Sequence, residues 1–184
     1  MTNHISIPLS SMDEDFIRDL KQKYPAYTRL NIQLVDWEDA PPFGEDDFWD
    51  IMAHIDLNKA NPVDAIKPAQ ERLSAHPVVH IFQFEDMMAA RLRSLDTAEH
   101  AAAAYPAPKR LSADGFLYVR AAAVAKGRQY YQEVLRHPEK MDGGHSFEPL
   151  LSLSANAYTL KTGEAFDYLS PVDYETGSND AGWA

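Results

Sequence analysis

Seven histidines in a chain without cysteine make metal binding the first chemistry to weigh. His76 and His80 stand four apart, as two ligands on one helical face would. Pro77 lies between them, so the pair reads as a loop-to-helix junction. No glutamate follows His76 in the way a metallohydrolase helix requires. The other histidines are scattered, and the expectation is no metal and no cofactor. Nucleophilic catalysis has equally little to work with. There is no Gly-x-Ser-x-Gly elbow, no cysteine and no glycine-rich phosphate loop. Gly143-Gly144-His145-Ser146 reads as a turn with nothing to pair with. Glu85 and Asp86 are neighbours that diverge by about 100° on a helix, unlike a facing glycosidase pair. They read as the solvated edge of that helix, and no residue is assigned a catalytic role.

Arg120 is the exception. Phe116, Val119, Ala123 and Gly127 form an apolar stripe, and Arg120 falls on its margin. Arginine is rarely buried unless paired. The available partners are Glu85, Asp86 and Asp96 on the preceding helix, with Glu85 favoured, in an ion pair that pins two helices together. A pocket lined by Arg120, Arg128, Glu85 and Tyr130, serving an enzyme or a small-ligand sensor, is the alternative. Gly127 at mid-helix costs about 1 kcal/mol relative to alanine, which predicts close approach of another helix there.

These residues need elements to hold them. Ser11-Met-Asp-Glu14 reads as a capping box, followed by Phe16, Ile17, Leu20 and Tyr24 at helical spacing and a stop at Pro25. Leu30, Ile32 and Leu34 alternate up to Trp37 as a strand does. After Ala40-Pro-Pro-Phe-Gly44, a helix opens at Glu45 with Phe48, Met52 and Ile55 on one face and Trp49 beside it. A third helix starts near Asp64, places Pro68 in its early turns and ends about His76-Pro77. Ile81, Phe84, Met88, Leu92 and Leu95 mark an amphipathic helix, and Thr97 to Ala104 is helical too. One long helix runs from Ser112 to Leu135. Another spans about Phe147 to Thr162, closed by Gly163. Phe166 to Leu169 is a short strand, and the tail from Ser170 is irregular.

Length and composition set the class. At 184 residues and 45% hydrophobic content, the chain buries a core without staples as a single domain, residues 1–184. Residues 1–44 form a helix–strand segment packed on it. The expected fold is mainly α: a bundle of about six helices with at most a small two-stranded sheet. Acids number 28 against 17 lysines and arginines, a net charge of −11. Such a chain repels phosphate backbones, which excludes nucleic acid as the expected partner. No secretory signal opens it and no apolar run approaches the span of about 20 residues that crosses a membrane. A cytoplasmic location follows as an expectation.

Several stretches together resemble a bacterial domain-of-unknown-function family, number forty-two forty. They are Phe48-Trp49, Ile81-Phe-Gln-Phe-Glu-Asp, Leu92, and Leu95-Asp96-Thr97. Asp114-Gly-Phe-Leu-Tyr-Val-Arg120 follows, continuing to Gly127-Arg-Gln-Tyr-Tyr, and then Tyr174-Glu-Thr and Gly182-Trp183. The resemblance runs from about Asp46 onward and implies no activity or cofactor. In character the chain is similar to small acidic proteins encoded beside bacterial toxins, which implies an immunity role by analogy.

The expected function is therefore a non-enzymatic binder that neutralises a basic toxin by covering its active site. Acidic residues would steer the encounter and an aromatic anchor would supply buried area. Asp36, Trp37, Glu38 and Asp39, with Phe43, Glu45, Asp46 and Asp47 around the Pro-Pro-Phe-Gly loop, are the candidate partner-binding residues. Binding residues commonly sit on such loops.

Overall fold

The computed structural model describes residues 12–29, 40–106 and 112–184. Its centre is α6 (Ala113–Ala125), where Phe116, Leu117, Val119 and every residue from Arg120 to Ala125 are buried. A helix that is apolar all round belongs inside a bundle, and the alanine run lets neighbours come close. Ser112 caps it by accepting from the Gly115 amide. Around α6 pack α4 (Val78–Ser94), α5 (Ala98–Ala104), α7 (Arg128–Arg136) and a 3₁₀ turn at Glu148–Ser152. The outer layer joins α3 (Pro62–Ser74) to α8 (Leu153–Thr162), with α2 (Glu45–Met52) beside α3. Phe48, Phe84 and Met88, fully buried, share this core with Phe116. The fold is mainly α, and no strand occurs among the described residues.

Several expectations change in detail. The expected strand over Leu30–Trp37 lies outside the described residues, as does Ser11. The cap of α1 (Glu14–Lys23) is Asp13, whose carboxylate accepts from Phe16 N at 2.8 Å. α3 begins at Pro62 behind an Asn61 cap, two residues earlier than Asp64, which leaves Pro68 at mid-helix. Pro68 is exposed, so the carbonyl it leaves without a helical donor has water in reach. The single long helix from Ser112 is two helices, α6 and α7, broken at Gly127 with φ +93° and ψ 173°. That backbone region is nearly closed to residues with a Cβ, and a Cβ there would meet nothing within 4 Å. Gly127 serves a change of direction, not the close approach expected of it. Phe166–Leu169 carries no strand, and the tail ends in a short helix, α9 (Asp180–Trp183).

Candidate functional site

Two polar centres emerge. The first is buried. Among the described residues Arg120 is the largest fully buried side chain, well inside the margin its helical phase suggests. It does not pair with Glu85. Its Nη1 donates to the Leu92 carbonyl at 2.9 Å and to the Tyr174 carbonyl at 3.0 Å, and its Nη2 to Thr176 Oγ1 at 2.8 Å. The nearest carboxylate is Asp96, 3.8 Å away and also fully buried. Asp96 accepts from the amides of Gly177 at 3.0 Å and Asn179 at 3.1 Å. Arginine and aspartate thus grip one segment from two sides, Arg120 at the Tyr174 carbonyl and the Thr176 hydroxyl, Asp96 at the amides of Gly177 and Asn179. Burial works against the Arg120 charge, and the carboxylates of Asp96 and Glu175 support it.

Sequence placed Arg120 and Asp96 but not the segment between them. α4 ends at Ser94 and α5 starts after the Thr97 cap, so Asp96 sits at the corner, pointing at the tail. Arg93 Nη1 donates to the Asp173 carbonyl at 3.0 Å, and Asn179 Nδ2 to the Arg93 carbonyl at 3.2 Å. Gly182 lies where a Cβ would come within 2.7 Å of the Asp96 carbonyl oxygen. Trp183 then meets Phe116 edge-on at 6.1 Å.

The second centre is at the surface. α2 opens with Glu45, Asp46 and Asp47 in its first turn, where carboxylates suit the helix dipole. Asp47 Oδ2 accepts from Gly44 N at 2.8 Å and closes the helix start. Glu45 accepts from Trp49 Nε1 at 3.1 Å and lies 3.5 Å from Arg91 Nη2. Asp46, with 93% of its side chain exposed, pairs with Arg128 at 2.6 Å. Both guanidinium groups lie against aromatic faces: Arg91 4.2 Å from the Phe48 ring centre and 5.2 Å from that of Trp49, Arg128 6.0 Å from the latter. Tyr131 completes the layer, 5.5 Å from Trp49. The result is an acidic helix turn standing on a bed of arginine, tryptophan and tyrosine.

Among the expected binding residues, Asp36, Trp37, Glu38 and Asp39 lie outside the described residues. Phe43, expected on an exposed loop, is buried against the rings of His76 and His80. Glu45, Asp46, Asp47, Trp49 and Arg128 do come together. Arg91 and Tyr131 join them without having been singled out, although Arg91 follows Met88 by three, a place on the inward face of α4. The residues of the alternative pocket make contacts in different places. Arg128 turns to Asp46, and Tyr130 donates to the Lys140 carbonyl at 3.1 Å while accepting from Asp142 N at 3.1 Å. Glu85 is no solvated edge: it is 8% exposed, and burial pushes its carboxyl upward, opposed by the Ser154 hydroxyl. Asp86 accepts from Tyr168 at 2.8 Å. Burial and nearby carboxylates push the Tyr174 phenol to about 12.

Taken together, these features define a helical domain whose internal polar core grips its own C-terminal segment and whose α2 presents an acidic turn. The chain belongs to the DUF4240 family, described as a protein of unknown function, whose model matches residues 43–160. The match takes in both centres except the gripped segment, which lies beyond its end. No curated protein and no solved structure matches the chain. No helix among the described residues is long and apolar enough to cross a membrane.

Proposed function

We propose that this protein is a non-enzymatic protein-binding module that uses the acidic first turn of α2 to engage a basic partner. An immunity protein covering the active site of a cognate bacterial toxin is the specific form we favour. The observation that carries the reading is the Glu45–Asp47 turn, with Glu45 and Asp46 exposed, fixed on the Trp49, Tyr131, Arg91 and Arg128 layer. Asp46 receives one hydrogen bond from Arg128, while an ionised carboxylate accepts several, so most of its capacity faces solvent. Because the helix cap and the arginines already hold the carboxylates, a partner loses little in ordering them. The net charge of −11 adds long-range attraction toward a cationic surface.

Arg120 carries no second reading. Its guanidinium is closed in by the chain's own carbonyls and by Thr176.

The test is association of the full chain with the product of the neighbouring gene, measured at two ionic strengths. Binding that quickens at low salt, with an on-rate lowered by Asp46→Asn together with Glu45→Gln, supports the proposal. Failure of the two proteins to associate at micromolar concentration overturns the immunity reading. Association indifferent to salt and to both substitutions removes the α2 turn from it.

A further inference from the structure

The fold brings together two nitrogens that the sequence separates by a proline. α4 starts at Val78, so His76 precedes it and His80 lies in its first turn. Their Nδ1 atoms nevertheless stand 3.3 Å apart, with the two rings 5.6 Å between centres. The orientation of His80 is fixed. It is buried, and its Nε2 lies 2.7 Å from the Pro41 carbonyl. Only an N–H can meet a carbonyl, so in the neutral ring Nδ1 carries the lone pair and points at His76. Phe43 packs against both rings, at 5.1 and 5.8 Å, and limits their rotation.

The geometry points to a bidentate site for a late first-row divalent cation, with Zn²⁺ as the type case, held between His76 Nδ1 and His80 Nδ1. At zinc–nitrogen bonds of 2.0–2.1 Å, two ligands at the tetrahedral angle are about 3.3–3.4 Å apart, the separation seen here. The bond from His80 to the Pro41 carbonyl is the kind of outer contact that fixes tautomer and ring direction in metal-ligating histidines. Without a cation the two nitrogens share one proton, carried on His76 Nδ1. Metal binding moves that proton through water to Nε2 of the same ring, and both lone pairs then face the ion. The charges around the pair are mixed. Asp47 and Asp50 favour a cation beside His76 and Arg72 opposes it, but Arg72 is itself paired with Asp50 at 2.9 Å.

Among the described residues no third histidine, aspartate or glutamate completes a metal cluster. The other positions are left to water, so the ion should exchange readily, and affinity should fall with acid as the histidines take up protons.

The experiment is titration of Zn²⁺ into the full chain by calorimetry at neutral pH, alongside NMR of the histidine ring nitrogens. The expected result is one saturable site per chain, with the His76 and His80 resonances moving together. His76→Ala should weaken it by at least about tenfold, as loss of a metal-site interaction does. His54→Ala should leave it unchanged, because that ring is exposed and its Nδ1 lies 2.7 Å from the Asp50 carbonyl, not against either histidine of the pair. Absence of saturation below millimolar zinc overturns the site. So does affinity retained in the His76 variant, or resonance shifts confined to other histidines, and the wild-type NMR arm decides even where a variant folds poorly.

Discussion

Replacing Arg120 by alanine is the sharpest perturbation of this fold. Arg120 and Asp96 are both fully buried, so solvent screening does not dilute the effect. The substitution removes three hydrogen bonds, leaving the carbonyls of Leu92 and Tyr174 and the Thr176 hydroxyl without this donor. It also strands the Asp96 carboxylate, which keeps only the amide donors from Gly177 and Asn179. Breaking a buried pair by removing one partner costs about 3–5 kcal/mol. At roughly 2–4 °C per kcal/mol for a chain of this size, Tm should fall by about 6–20 °C. Urea unfolding should report the same loss. Removing both charges tests the reasoning further. Arg120→Met combined with Asp96→Asn should cost less than the sum of the single changes, because each single change leaves a lone buried charge. Hydrogen exchange in Arg120→Ala should rise first over residues 173–179. A variant that melts within about 2 °C of wild type, or single costs that simply add, would refute the clamp.

Other outcomes follow from the same geometry. Glu85 is pushed above its ordinary value of 4.5 by burial, so the folded chain binds its proton more tightly than the unfolded chain does. Stability should then fall as pH rises from 4.5 through the raised value, and Glu85→Gln should stabilise at neutral pH but not at pH 4, as melts across that range would show. Gly182→Ala drives a Cβ to 2.7 Å from the Asp96 carbonyl oxygen and should cost about 1–3 kcal/mol in urea unfolding. Gly127→Ala meets open space, yet should cost a similar ~1–3 kcal/mol through backbone strain alone. Arg128→Ala should change Tm little, since its ion pair with Asp46 is exposed, but should alter association with a basic partner if the α2 turn is the docking face.

Periodicity made the apolar helices legible. The spacing from Ile81 to Leu95 places α4 within a residue of its observed end, and Thr97 to Ala104 matches α5 with its cap. Local signals failed where tertiary contacts decide. Gly127 inside a continuous helical pattern looks like a packing glycine, and only its φ shows that two helices meet there. Helical phase places Arg120 only on the margin of the buried stripe, so neither its full burial nor its partners are readable from it. Two of those partners are the backbone carbonyls of Leu92 and Tyr174, and a carbonyl has no side-chain signature. Glu85 is the favoured partner when the carboxylates of the preceding helix are weighed from sequence, whereas Asp96 lies beyond the last turn of α4, where the chain corner turns its carboxylate toward the tail. The approach of His76 to His80 was masked by Pro77, which rules out a continuous helix but not contact across a helix start.

The grip on residues 173–179 also sets an order of assembly. Arg120 reaches forward 54 residues to Tyr174, and Asp96 reaches 81 to Gly177. A chain emerging from its N-terminus exposes α4, α5 and α6 well before that segment exists. Until it arrives, packing α4 onto α6 would enclose two charges whose backbone partners have not yet been made. The cheaper state keeps that interface wet, so the apolar seam around Phe116 and Leu92 should close only when residues 173–179 dock. Contacts this distant in sequence form late. A chain cut before Tyr174 should therefore stay open at the centre, with its central helix accessible to proteases.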